Sequence, residues 1–104
     1  MGNINKVKIG GVIYDIVKTN KVLKDEEEDV ADGVIDFRSG KIFISNKISK
    51  DYYTHVLLHE IFHGIVYHFG INEIEGQDIE EEVVDKLARA MHCFLKDNKE
   101  LNIV

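Results

Sequence analysis

Proline and tryptophan are absent from this 104-residue chain, and cysteine occurs once, as Cys93. A single thiol cannot close an internal disulfide, so an oxidising compartment would give the fold no covalent brace. With no proline and only eight scattered glycines, no linker is legible. One domain covering residues 1–104 is expected, since that length suits a single core. No stretch approaches the roughly 20 apolar residues that a membrane-spanning helix needs, and no apolar run of signal length follows Met1. Position 6 is Lys rather than Ser or Thr, so the Met1-Gly2 start does not complete a myristoylation pattern. Positive charge is also in deficit, with 13 Lys and Arg against 19 Asp and Glu and a formal net charge of −6. No basic stripe is available to neutralise phosphates, so neither nucleic acid nor an anionic membrane surface is an expected partner. The expected location is the cytoplasm.

What is present is the composition of a folded domain, 44% hydrophobic and 31% charged. Val7–Ile9 and Val12–Val17 are β-rich runs separated by Gly10-Gly11, and two glycines supply the positive φ angles of a tight hairpin. Gly33–Arg38 and Lys41–Ser45 read as a second hairpin around Ser39-Gly40. Between them the apolar pattern dissolves over Thr19–Asp32, where Asp25-Glu26-Glu27-Glu28-Asp29 suggests a solvated loop or short helix.

Ser49 is placed to cap a helix that runs to about Phe69 and ends at Gly70. At 100° per residue, Leu58, Phe62, Ile65 and Phe69 share one apolar face and Leu57 and Ile61 another. A helix apolar on two sides belongs between layers. After a loop over residues 71–77, a second helix is expected from Asp78 to Lys96. Its first turn carries Asp78, Glu80, Glu81 and Glu82, and its core stripe is Val84, Leu87, Ala88, Met91, Phe94 and Leu95. Two hairpins forming a small antiparallel sheet, packed on two long helices, make an α+β domain.

The chemistry concentrates in His59-Glu60-Ile61-Phe62-His63. Two histidines four apart on a helix stand one turn above each other, about 5–6 Å between Cβ atoms. Both imidazoles can then reach one zinc ion at about 2.0–2.1 Å. Glu60 is rotated about 100° from His59. It is therefore suited not to join the same coordination sphere but to take a proton from water on the metal's open position. Two histidines satisfied within the core are the plain alternative, but two imidazoles and a carboxylate in an apolar helix are costly without a metal to use them.

A catalytic zinc usually has three protein ligands. Phase on the second helix leaves Glu80 and Glu81 flanking the core stripe, and turns Glu82 toward solvent. Glu81 begins a stripe through Asp85, Ala88 and His92; a carboxylate at 85 could accept from the second N–H of a ligand histidine. Cys93 is phased away and expected to be passive. His55, Tyr67, His68 and His92 are candidates to stabilise an oxyanion, although each residue type is more often structural.

The run His59–Gly64, with Thr54 and two leucines ahead of it, resembles the active helix of the ImmA/IrrE-type metallopeptidases, a gluzincin-like group with small phage-encoded members. Glu81–Ala88 resembles that group's second motif, Glu then Asn or Asp four positions on, followed by an apolar-Ala pair. The resemblance spans roughly Gly33 to Asp97. It implies His59, His63 and Glu81 as ligands of Zn2+, Glu60 as the catalytic base and Asp85 as the residue that orients a ligand histidine. It further implies that the strand before the active helix binds an extended protein or peptide substrate by edge pairing, here through Ile42, Phe43 and Ile44. Members that cleave repressor proteins suggest a restricted protein target. A zinc-stabilised interaction module without turnover is the alternative.

Overall fold

The computed structural model describes residues 5–71 and 81–101. Its element order is β1 (Lys6–Ile9), β2 (Val12–Thr19), β3 (Leu23–Lys24), β4 (Val30–Ala31), β5 (Gly33–Asp36), β6 (Lys41–Ser45), α1 (Lys50–His68) and α2 (Glu81–Asp97). The fold is α+β. A four-stranded sheet in the order β1-β2-β6-β5 packs against α1, and a two-stranded ribbon, β3-β4, stands apart from it in pairing.

Both expected hairpins form. Gly10 and Gly11 have φ of 57° and 83°, as a two-residue turn twisted to match its strands requires. In the second hairpin Asp36 does the turning: its carboxylate accepts from the amides of Arg38 and Ser39 at 3.0 and 3.3 Å. Gly40, at φ 70°, closes back on the Asp36 carbonyl. The join between the hairpins is parallel, however, with Ile16 opposite Ile42 and Lys18 opposite Ile44. The sheet is therefore mixed. Turn chemistry specifies each hairpin, whereas the seam is decided by burial. β6 runs straight into α1 and carries Ile42 and Ile44, both wholly inaccessible to solvent, so it takes the inner position and β5 the outer.

The acidic stretch after β2 is neither plain loop nor helix. Leu23–Lys24 pairs with Val30–Ala31, and Asp25 organises the reversal by accepting from the amides of Glu27 and Asp29 at 2.9 and 3.0 Å. Glu28 takes the left-handed conformation there, at φ 65°.

α1 starts as expected, with the Ser49 side chain accepting from the Tyr52 amide, and it ends before Gly70, at φ 64°. Ile9, Tyr14, Ile42, Ile44, Tyr53, Val56 and Leu57 form the core between sheet and helix. Phe62 and Ile65 are half-buried, while Phe69, expected on the same apolar face, is exposed beyond the helix end. On α2 only Val84 and Ala88 of the expected stripe are buried; Leu87, Met91, Phe94 and Leu95 are exposed. The amphipathic pattern is real, but α1 covers only the first half of that helix. The expected helix start at Asp78, the loop over residues 71–77 beyond Ile71, and Glu80 lie outside the described residues. Among the described residues no helix is long and apolar enough to cross a membrane.

Candidate metal centre

α1 and α2 meet with their chemistry-bearing sides facing. The imidazoles of His59 and His63 project one turn apart from α1, with Nε2 atoms 3.2 Å from each other. The first residue of α2, Glu81, reaches across to both: one carboxylate oxygen lies against His59 Nε2 and the other sits 2.8 Å from His63 Nε2. Ligand atoms of these three residues all lie within 4.8 Å of one another. Two nitrogens on a tetrahedral zinc, each at about 2.0–2.1 Å, stand about 3.3 Å apart. The His59–His63 separation matches that span. The donor set, two imidazoles and one carboxylate, is also that of a zinc site which keeps a position open.

Protonation favours the same use. Burial pushes His63 below its ordinary value despite the opposing attraction of Glu81, so its ring tends toward the neutral form that a metal requires. Behind His59, Asp85 Oδ1 lies 3.2 Å from Nδ1, leaving Nε2 to face the Glu81 side. Hydrogen bonding from Arg89, chiefly, and from His59 holds the Asp85 carboxyl down at about 2 although burial opposes them. An ionised acceptor there fixes the orientation of the His59 ring.

Glu60 points elsewhere. It is 6% exposed, lines the cleft in front of the histidines, and lies against β5. Burial, the dominant cause, pushes its carboxyl up to about 7; Glu81 adds to the rise, while His59 and the Ile35 amide oppose it. Gly33 makes room for this arrangement. A Cβ at that position would stand 2.6 Å from Val56 Cγ1 and 3.4 Å from Glu60 Oε2. Because Val56 branches at Cβ and cannot swing away, Gly33→Ala is expected to cost about 1–3 kcal/mol in chemical denaturation.

The structure thus brings together His59, His63, Glu81, Asp85 and Glu60. It does not bear out β6 as the substrate strand. β6 is paired on both sides, to β2 and β5, and Ile42 and Ile44 are sealed beneath α1, so Ile42, Phe43 and Ile44 offer no open backbone edge. The sheet's edge strands are β1 and β5, and β5 is the one that lines the cleft. The Asp32 carbonyl accepts from the Ser45 amide at 2.8 Å. In an antiparallel ladder that sets Val34 and Asp36 to bond with β6, and turns the amides and carbonyls of Gly33 and Ile35 outward. Order in the sheet is a tertiary property, which strand patterns alone do not carry.

His55, expected as an oxyanion candidate, takes a different place, and Arg89 joins it as a contributor that the sequence did not single out. His55, 6% exposed, places Nε2 3.0 Å from Asp85 Oδ1, and Arg89 Nε donates to Asp85 Oδ2 at 2.9 Å. Their signal was available as spacing: 55, 59 and 63 form one i, i+4 row, and 85 and 89 another. Of the other oxyanion candidates, Tyr67 lines the cleft, whereas His68 lies against Tyr14. Cys93 is exposed on α2, its sulfur 3.7 Å from an Asp97 oxygen. No protein-family model, characterised protein or solved structure matches the chain.

Proposed function

We propose that this protein is a zinc-dependent peptidase acting on an extended segment of a restricted protein substrate. The observation that carries the reading is the convergence of His59, His63 and Glu81 on one point, with a separate buried carboxylate, Glu60, in the same cleft. The family resemblance of residues 59–64 and 81–88 supports it. When bound, zinc would supply a Lewis acid that polarises the scissile carbonyl and acidifies water. The remaining work falls to the chain. Glu60 accepts the proton of the attacking water and returns it to the leaving amine. Asp85 keeps the His59 ring in register. The outward amide of Gly33 and the outward carbonyls of Gly33 and Ile35 receive the substrate backbone as an added strand, while the Ile35 amide faces Glu60. Cytoplasmic action suits a chain whose one thiol is exposed.

One feature favours a second reading, a zinc-stabilised interaction module: the same side chains that would hold the ion also bridge α1 to α2. A buried, proton-binding Glu60 beside the ligands has no use in that case.

Protein prepared without an affinity tag is expected to contain one zinc per chain, and His63→Ala less than about a tenth of that. Cleavage of a mixed peptide pool should stop on chelation and return with zinc. Zinc-free protein from zinc-replete cells, or cleavage indifferent to chelator, overturns the proposal. Zinc bound without cleavage leaves the module.

A further inference from the structure

The cleft carries more negative charge than its metal centre uses. Among the described residues that line it, seven of twenty are Asp or Glu and none is Lys or Arg. Glu60, Glu81 and Asp85 belong to the chemistry above. Asp25, Glu26, Glu27 and Asp32 come instead from the β3–β4 turn and the entry to β5. The Asp25 carboxylate is occupied by turn amides, but Glu26 and Glu27 make no ion pair among the described residues. The turn and His63 line the same cleft. Glu26 also lines an adjoining shallow groove, and the cations of that neighbourhood, Lys24 and Arg38, line the groove alone.

An independent feature lies in the same cleft. Phe37 and Tyr67 stack with ring centroids 4.1 Å apart and planes 22° from parallel, yet 38% and 59% of these residues stay exposed. Phe37 and Glu26 both line the cleft and the adjoining groove, and Tyr67 and Glu27 line the cleft with them. A stacked aromatic pair beside unpaired carboxylates has the chemistry of a seat for a long cation. The rings take the aliphatic stem and the guanidinium or ammonium face, and the carboxylates take the charge.

We propose that the cleft selects peptides bearing a lysine or arginine side chain, seated between the Glu26–Glu27 turn and the Phe37–Tyr67 pair. The inference rests on the peptide-cleft reading above and adds the substrate class to it. A single-sign field in a walled cleft also draws basic peptides in from solution, and that attraction weakens as salt rises.

The test uses the full chain carrying Glu60→Gln, loaded with zinc, so that binding is read without turnover. Fluorescence anisotropy is measured on a set of neutral peptides in which one arginine, lysine, citrulline or glutamate is walked through every position. At one register arginine and lysine are expected to bind about tenfold tighter than citrulline. Adding Glu26→Gln and Glu27→Gln should erase that difference, and Glu26→Lys with Glu27→Lys should turn the preference toward glutamate. Melting curves check that these exposed-turn variants fold. Equal affinity for arginine and citrulline at every register, or no binding by any peptide, overturns the inference. The unsubstituted protein is then assayed for cleavage of the same set. Turnover without charge preference sinks this inference and spares the peptidase. Charge-selective binding with no turnover sinks the peptidase and spares this inference.

Discussion

Glu60→Gln is expected to lower kcat by about 10²–10⁴-fold while one zinc per chain remains bound. The two effects separate because Glu60 sits apart from the three converging ligand groups, against β5, where Gly33 leaves it space. Glutamine keeps the volume and the neutral form that burial already favours, since the carboxyl is pushed up to about 7. It cannot accept a proton. The same burial sets the pH profile: the carboxylate works only when ionised, so turnover should rise with pH along an acid limb. That limb lies at or below pH 7, because a nearby cation pulls the carboxyl downward from its value in the protein alone. Stopped assays on a cleavable peptide, with metal analysis of the same sample, read both quantities. Turnover in the variant above about a tenth of the parent would remove Glu60 from the mechanism.

Local rules in the sequence reached some parts of this molecule and stopped short of others. Gly10-Gly11, Asp36–Gly40, Ser49 and Gly70 each act through bonds to near neighbours, and each does what its type implies. The relation of His59 to His63 is likewise internal to one helix. The approach of Glu81 and Asp85 was legible through helical phase together with the family resemblance, since both lie on the stripe that faces α1. Which strand takes the sheet edge was not, because β5 and β6 have similar patterns and their order depends on the long-range parallel seam with β2. The acidic turn was opaque for a different reason. Two-residue strands carry too little pattern to register, and the Asp25 side chain that organises the reversal looks like one more solvated carboxylate. The role of His55 was misassigned because its partner, Asp85, is reached only after the helices dock, whereas Arg89 pairs with Asp85 within α2 at a spacing that was not singled out.

Removing zinc is expected to loosen α2 while the sheet and α1 hold. α2 buries only Val84 and Ala88 of its apolar stripe, and Leu87, Met91, Phe94 and Leu95 contribute little burial to docking. Among the described residues, its polar ties to α1 are Glu81 to His59 and His63, and Asp85 to His55 and His59. Without a cation the Glu81 contacts are hydrogen bonds from an exposed carboxylate, of a kind that contributes only about 0–1 kcal/mol each, which leaves the more buried Asp85 contacts. With zinc present at about 1,000 times its dissociation constant, linkage adds about 4 kcal/mol to whatever state holds the ligands together. That increment acts across the α1–α2 junction, not across the core of Tyr14, Ile42, Ile44 and Leu57, which lies on the other side of α1. Amide exchange in α2 should therefore accelerate by about 10³-fold on chelation, while the amides of β6 and of the Tyr53–Leu57 turn of α1 stay protected to within about threefold. His63→Ala should show the accelerated pattern with or without added zinc. Uniform acceleration across all elements would make the ion a prop for the whole domain and favour the interaction module. No acceleration in α2 would mean that Glu81 does not hold the metal.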